Sequence, residues 1–355
     1  MSTDNKITTL DWFEHMRRRP RMYIGKLGNG SEADDGLYVL VKEIIDNSVD
    51  EFREGFGREV TVRLNGNQLT IRDFGRGIDF DRLANFNQKL VNVIDKNGMF
   101  NRSVGCCGLG IAIVNALSSN LVITSYQKGY VKSIITSRGK IISIDETKPT
   151  NEPDGLCVSC TPDNEIFIDY AINANYIREM LNVYAVCNPG LRLGFGQESF
   201  YAPQGMLDLL ESSLGSTHNS KAIHIVDKYC DLVIAPISND GRPSIKSFVN
   251  GHPITLGGSH IWSLVDAFYI CMKKFIPQRF LKCDVTANLI IYFNIIIENP
   301  QFETCNRSKL ASRDMSEDGK TIKQYLLELF EANLPKYFGK DKEIATAFIN
   351  KLTKN

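Results

Sequence analysis

Hydrophobic residues recur at helical spacing between positions 41 and 52, and polar residues follow the same spacing on a second face. Val41, Ile45 and Val49 form the apolar stripe, which predicts a helix with one buried side. Glu43 and Asn47 lie one helical turn apart on the polar stripe. A carboxylate there can orient a water for attack on a phosphoryl group, and an amide oxygen suits Mg²⁺. An ordinary solvated acidic face is the alternative interpretation.

A second pattern predicts a strand that ends on an aspartate. Apolar and polar residues alternate through Leu69–Asp73, as in a half-buried strand. A carboxylate fixed at a strand end can accept a hydrogen bond from an exocyclic amine such as that of adenine. Gly75 and Gly77 lack side chains, so a flat ring can approach the backbone closely. A plain hairpin turn is the alternative, because Asp and Gly are common turn residues.

The third pattern is a glycine loop that leads directly into an apolar helix. Gly105, Gly108 and Gly110 precede residues 111–118, which are mostly apolar. Backbone N–H groups of such a loop and the helix dipole favour phosphate. The spacing matches neither a Walker loop nor a Rossmann fingerprint. The loop alone is also typical of a flexible connector, but the three segments in this order indicate a pocket for a nucleotide and its magnesium ion.

The remainder of the chain predicts a second, strand-rich domain. A helix over Met206–Leu214 closes the first domain and a polar break follows it, so we expect domains over residues 1–216 and 217–355. The other predicted elements are a turn at Asn250–Gly251, a helix over Ile261–Phe275, a strand over Leu289–Ile297, and closing helices over Thr321–Asn333 and Lys342–Leu352.

Charge and hydropathy indicate a soluble cytoplasmic protein. The 355 residues include 41 Lys plus Arg and 41 Asp plus Glu, so no overall field attracts the chain to DNA or to a membrane. Any DNA contact must therefore use a local patch. No hydrophobic leader precedes Asp11, and the longest apolar run, Leu289–Ile297, is far shorter than the ~20 residues that cross a bilayer.

The nine cysteines predict reduced thiols rather than a disulfide framework, because their number is odd. Cys157 and Cys160 have CxxC spacing but lie in a predicted strand, where they face opposite sides, so a shared zinc is not expected. Cys106 and Cys107 lie in the glycine loop at a helix N-terminus, a setting that lowers the pKa of a thiol. A redox-sensitive nucleotide site is therefore a further hypothesis.

The chain also resembles a known family, the GHKL ATPases, and within them the B subunit of bacterial type IIA topoisomerases. The resemblance extends from about Leu10 to Leu352 and implies an α+β fold. That fold is a GHKL sandwich of a mixed sheet and helices, followed by a transducer domain that resembles ribosomal protein S5. The segments that carry the resemblance are RRRPRMYIGKLGNGSEADDGLYVLVKEIIDNSVDEF, SFVNGHPITLGGSH and NPQFETCNRSKLAS.

The resemblance implies roles for particular residues. Glu43 matches the general base that activates water against the γ-phosphate, Asn47 the Mg²⁺ ligand, and Asp73 the residue that binds the adenine amine. The other matched positions are Tyr23, near the nucleotide in a dimer; Gly75, Gly77 and Ile78 in the purine slot, with Arg76 and Glu51 beside it; and Gly105, Cys106, Cys107, Gly108, Leu109 and Gly110 around the phosphates.

Three segments depart from the family pattern. The lid reads NGMFNRSVG, which is shorter than usual and has Met99 in place of a lysine. The phosphate-sensing loop reads CNRSKL rather than QTKTKL, so Arg307 stands in place of the γ-phosphate lysine and Lys309 is kept. Arginine keeps the charge but not the geometry of lysine. Leu156 replaces a threonine that helps to bind the purine through water. Nucleotide binding is therefore a firmer expectation than hydrolysis.

The resemblance implies an ATP-operated gate that dimerises through its N-terminal arm and acts with a topoisomerase A subunit on DNA. The sequence has no EGDSA-type TOPRIM segment and no breakage-reunion domain, so we do not expect this chain alone to cleave DNA. One alternative is a non-enzymatic nucleotide-binding or partner-binding module. Another is a different GHKL enzyme, such as a kinase. The sequence before the domain shows no phospho-acceptor helix pair, which argues against this alternative.

Overall fold

The structure, a computed structural model, describes residues 12–84, 110–214, 221–237, 242–303, 307–316, 319–340 and 342–353. The chain folds into two compact units. The first contains the described residues up to Leu181 together with Leu191–Phe200, and the second contains Asn182–Gly190 and the described residues from Tyr201 onward. The predicted domain boundary at residue 216 stays a prediction, because residues 215–220 lie outside the described ranges.

The described helices of the first half of the chain are α1 (Trp12–Arg18), α2 (Arg21–Ile24), α3 (Leu37–Arg53), α4 (Phe80–Ala84), α5 (Gly110–Leu117) and α6 (Ala174–Cys187). The predicted amphipathic helix is confirmed as α3. Val41, Ile45 and Val49 are between 0 and 2 % exposed, so the apolar stripe lies in the core. Asn47 is exposed on the polar side, which leaves its amide available at the surface.

The strands of the first unit are β1 (Glu59–Asn65), β2 (Gln68–Asp73), β3 (Ser118–Gln127), β4 (Tyr130–Ser137), β5 (Lys140–Ile144), β6 (Lys148–Pro149), β7 (Gly155–Pro162), β8 (Arg192–Phe195) and β9 (Glu198–Phe200). Within the described residues they form one sheet in the order β5-β4-β3-β7-β2-β1-β8-β9, with β6 beside β4. β1 pairs with β8 in parallel and with β2 antiparallel, so the sheet is mixed. Leu69, Ile71 and Asp73 alternate onto the buried face of β2, which directs the carboxylate inward.

The second unit contains β10 (Ile223–Val226), β11 (Cys230–Pro236), β12 (Ser244–Val249), β13 (His252–Pro253) and β14 (Leu289–Ile295). These strands form a sheet in the order β10-β11-β14-β12-β13, in which β12 and β14 are parallel. The Asn250–Gly251 turn between β12 and β13 is confirmed, with φ of 52° and 83°. The helices are α7 (Met206–Leu214), α8 (Ser259–Met272), α9 (Lys282–Asn288), α10 (Ile322–Lys340) and α11 (Lys342–Leu352).

α10 continues beyond the predicted end at Asn333, although proline normally ends a helix. Pro335 is exposed, whereas Leu334 is fully buried and Phe338 stacks on Phe275. Apolar burial on both sides of the proline therefore keeps the chain helical as far as Lys340. Within the described ranges, no helix has the length and apolar character needed to cross a lipid bilayer.

His260, near the start of α8, is completely buried in the second unit. Its ring stacks on Phe293 with 6.0 Å between centroids, and neither ring nitrogen has a hydrogen-bond partner in the described part of the chain. Burial without a partner disfavours the charged imidazolium and lowers the pKa of His260 to about 4.

This burial predicts an acid-sensitive second unit. Between pH 6.5 and 4 the unfolded chain binds a proton at position 260 that the folded chain does not, so stability falls as the pH drops and is fully present above 6.5. The loss attributable to His260 is on the order of 3 kcal/mol by pH 4. Urea unfolding of the parent and of His260→Leu at pH 7 and pH 4.5 measures it. Equal acid sensitivity in the two proteins would contradict this account.

Candidate functional site

Asp73, at the end of β2, is held by groups from three separate segments. Its Oδ1 accepts hydrogen bonds from the backbone N–H of Gly75 at 3.0 Å and of Leu156 at 3.1 Å. Its Oδ2 accepts one from the Ser48 hydroxyl at 3.1 Å. Burial raises the pKa of the Asp73 carboxyl, although these hydrogen bonds oppose the shift. A carboxylate oxygen has two lone pairs, so Oδ2 can accept one further donor.

The backbone after β2 passes close to β3 and β7. The Ser125 hydroxyl accepts from the Ile78 N–H at 2.8 Å and donates to the Ile78 carbonyl at 2.7 Å. Gly77 has a φ of 72°, and a Cβ there would lie 2.8 Å from Ser125 Oγ and 3.0 Å from the Gly155 carbonyl. Only glycine fits this position without strain. The loop therefore offers bare backbone beside the Asp73 carboxylate.

Glu43 lies against the first residue of α5. The residue is buried, with 7 % of its surface exposed. A Cβ on Gly110 would be 2.0 Å from Glu43 Oε2, so only glycine leaves room for the carboxylate. The structure thus brings the predicted general base beside the helix that follows the glycine loop.

A charged rim lies beside Asp73. The Arg76 guanidinium donates to both Glu51 oxygens, at 3.1 and 2.8 Å, and packs over the Phe56 ring at 4.2 Å. Burial favours the neutral form of Glu51, yet the hydrogen bonds from Arg76 outweigh it and lower the pKa of that carboxyl. A Cβ on Gly75 would lie 2.9 Å from Glu51 Oε2, so the rim and the glycine turn are in direct contact.

The other predicted site residues of the first unit have distinct environments. Asn47 is exposed one turn after Glu43 on α3. Tyr23, on α2, is half-buried, and a hydrogen bond of 2.8 Å joins its hydroxyl to His15 Nδ1. Within the described ranges, no cluster of three or more His, Cys, Asp or Glu side chains is suited to hold a metal ion. The role of Asn47 as an Mg²⁺ ligand stays a prediction.

Part of the predicted site lies on residues that the structure does not describe. Gly105, Cys106, Cys107, Gly108 and Leu109, together with the lid around Met99, lie outside the described residues. Cys157 and Cys160 lie on β7 as predicted, and burial raises the pKa of the Cys160 thiol to about 12.

Arg307 and Lys309 belong to the second unit. Arg307 Nη1 donates to His252 Nε2 at 3.0 Å, and the φ of Arg307 is 57°. Lys309 Nζ forms an ion pair of 2.7 Å with Glu303. Because arginine has no acceptor, His252 must present an unprotonated Nε2 in this contact. The phosphate-sensing roles of Arg307 and Lys309 stay predictions.

Known families match most of the chain. Residues 32–163 match the family described as histidine kinase-, DNA gyrase B-, and HSP90-like ATPase, and residues 205–355 match the family described as DNA gyrase B. The B subunit of DNA topoisomerase 4 from Borreliella burgdorferi is 34 % identical over 315 residues, which are 87 % of this chain and 52 % of that protein. The chain belongs to the B-subunit family of type IIA topoisomerases, within the GHKL ATPases.

Further relatives agree with this family. The B subunit of DNA gyrase from Thermus thermophilus is 28 % identical over 368 residues, 94 % of this chain and 57 % of that protein. The crystal structure of the 43K ATPase domain of Thermus thermophilus gyrase B, in complex with an aminocoumarin, has a TM-score of 0.72 at 27 % identity and covers 96 % of this chain and 93 % of that one. The α+β fold, a GHKL sandwich followed by a transducer domain, is therefore confirmed. The chain spans about half the length of the curated relatives it matches.

Sequence reasoning missed the groups that fix the site from a distance. Ser48 and Ser125 are buried, and neither stood out in the sequence. Ser48 precedes Val49 of the apolar stripe, and a buried hydroxyl there requires a partner. Ser125 follows the inward positions Leu121 and Ile123 of β3. Both signals exist in the sequence, but the partners are 25 and 47 residues away.

The close approach at Gly77 predicts a large cost for any side chain there. Gly77→Ala should lower the free energy of unfolding by about 2–4 kcal/mol, because a left-handed φ and overpacking act together. Gly66→Ala is the matched control, since Gly66 also has a positive φ but nothing lies within 4 Å of its Cβ position. It should cost about 1 kcal/mol. Chemical unfolding compares the two, and equal losses would contradict the tight packing at Gly77.

Proposed function

We propose that the first unit binds ATP with Mg²⁺ and hydrolyses it. The observation that carries this proposal is the buried Asp73 carboxylate, held by three hydrogen bonds beside a glycine turn and with lone-pair capacity left on Oδ2. An amine donor of adenine satisfies that capacity. Gly75, Gly77 and Ile78 would then line the ring, and the Glu51–Arg76 pair would border it.

Hydrolysis needs a base near the phosphates, and Glu43 is the candidate. Its carboxylate contacts Gly110, the first residue of α5, and the amides of Gly105–Gly110 would bind the phosphates. Glu43 would accept the proton of the attacking water. Mg²⁺, when bound, neutralises phosphate charge, and the exposed Asn47 amide oxygen would hold it.

We extend the proposal to the assembly. Residues 1–216 would form the ATPase domain and 217–355 the transducer, in which Arg307 and Lys309 sense the γ-phosphate. Two chains would close through the N-terminal arm, with Tyr23 near the nucleotide, and hydrolysis would reopen them. In a full assembly this gate would act in the cytoplasm with a topoisomerase A subunit and DNA. The family of the chain supports this role.

A second candidate is a module that binds nucleotide or a partner without turnover. It is favoured by Arg307, which stands where the family pattern has the γ-phosphate lysine. In this case the gate would close without the catalytic contact that lysine provides.

Measuring ATP turnover against protein concentration separates the two candidates. An active gate should show turnover that rises faster than linearly, because only dimers hydrolyse ATP. Glu43→Ala should reduce turnover by about 10²- to 10⁴-fold, as expected for loss of a general base. Turnover in Glu43→Ala equal to that of the parent would exclude the base assignment. No turnover in the parent, with ATP still bound, would favour the binding module.

Asp73 also predicts base selectivity. The parent should prefer ATP to GTP, because a carboxylate accepts from the amine of adenine but repels the carbonyl oxygen of guanine. Asp73→Asn places an amide donor at this position, so ATP affinity should fall about tenfold or more and the preference over GTP should shrink. Isothermal titration with both nucleotides measures this, with the exposed change Asp145→Asn as control. An unchanged preference in Asp73→Asn would remove Asp73 from base recognition.

A further inference from the structure

The C-terminal end of α5 is capped by three separate segments. The Asn115 carbonyl accepts from the Gly139 N–H at 3.0 Å, and the Leu117 carbonyl accepts from the Asp163 N–H at 2.9 Å. Between them, the Ala116 carbonyl accepts from Arg17 Nη1 at 2.9 Å. Arg17 is on α1, so a side chain of the N-terminal region is bound to the backbone of this helix. Cations are also favoured at helix C-termini by the dipole.

Arg17 is itself held by a buried carboxylate. Its Nη2 lies 2.6 Å from Asp163 Oδ2 and 3.1 Å from Glu165 Oε2, and the Asp163 side chain is fully buried. Arg138 makes a parallel set of contacts, at 3.0 Å to Asp163 and 2.8 Å to Glu165. The two arginines therefore share both acidic partners, and among their described contacts only Arg17 also binds a carbonyl of α5.

The opposite end of α5 meets the proposed base. Gly110 begins the helix and leaves no room for a Cβ beside Glu43 Oε2. A helix of eight residues is only about 12 Å long, and the hydrogen bonds between its successive turns couple its two ends. A displacement at Ala116 is therefore transmitted to Gly110. Small displacements at a reacting centre are costly, and about 1 Å can reduce rates 10²-fold.

We propose that Arg17 is a positioning residue for phosphate recognition, which it serves by fixing the position of α5 along its axis. The inference rests on the proposed nucleotide function of the first unit. It assigns to α1 a part in the pocket, although the described hydrogen bonds of Asp73 come from Ser48, Gly75 and Leu156 and not from α1.

Different elements of the first unit would recognise the phosphates and the base of the nucleotide. Asp73, Ser48 and Leu156 belong to β2, α3 and β7, and none of their hydrogen bonds to one another involves α5. Loss of the Arg17 contact should therefore weaken the phosphate end of the site and leave adenine recognition intact. A general loss of stability would instead weaken every ligand alike.

The test uses a ligand series in the full chain. Affinities for ATP, ADP and adenosine are measured by titration, with NMR for weak binding, in the parent, Arg17→Ala and Arg138→Ala. We expect Arg17→Ala to weaken ATP and ADP about tenfold with adenosine nearly unchanged. Arg138→Ala removes the same acidic contacts but no helix contact, and should leave the ratio of ATP to adenosine affinity unchanged.

Three results in the variants would overturn the proposal. An equal loss for all three ligands in Arg17→Ala would mean a general structural effect. The same phosphate-dependent loss in Arg138→Ala would assign the effect to the acidic cluster, and unchanged ATP affinity in Arg17→Ala would exclude a role altogether. If Arg17→Ala does not fold, Arg17→Lys decides, because a single ammonium cannot reach Ala116 and both carboxylates at once. A parent that binds no nucleotide refutes the proposed function and the inference together.

Discussion

The buried carboxylate of Asp73 is the constraint on which the first unit depends. Removing a carboxylate from water is costly unless hydrogen bonds replace the lost hydration. Here Ser48 on α3, Gly75 after β2 and Leu156 on β7 provide them. Helix, turn and neighbouring strand must therefore keep fixed positions around one group. In the proposed role of Asp73, a pocket that is preorganised in this way does not need to reorganise when a base enters, which reduces the cost of binding.

Much of this arrangement is predictable because it is local. The helical stripe of α3, the strand that ends at Asp73 and the turn at Asn250–Gly251 follow from residues within one or two turns of each other. The partners of Asp73 and Ile78 cannot be predicted from nearby residues, since Leu156 and Ser125 approach them only after the sheet assembles. Pairing between distant strands is set by tertiary packing, which a single sequence does not encode in a short window.

The same distinction explains the errors at element ends. Proline predicts the end of a helix, but α10 continues through Pro335 because Leu334 is buried in the core and the partly buried Phe338 packs against it. Burial of apolar side chains is worth about 1.5–3 kcal/mol each, which offsets the ~3 kcal/mol cost of a proline in a helix. Local helix propensity is thus overridden wherever apolar burial contributes more free energy than the unfavourable residue costs.

The contacts of the two candidate phosphate-sensing cations do not by themselves favour a binding-only module. The pair of Lys309 with Glu303 is partly exposed on both sides, at 32 and 48 %, and such pairs contribute at most about 1 kcal/mol. The contact of Arg307 with His252 uses a neutral acceptor. The guanidinium is charged in either contact, so the difference lies in the acceptor: an anionic phosphate adds charge attraction and can accept two parallel hydrogen bonds, which a neutral imidazole cannot. In the proposed sensing role, the replacement of lysine by arginine therefore changes the geometry of the loop more than its capacity to bind phosphate.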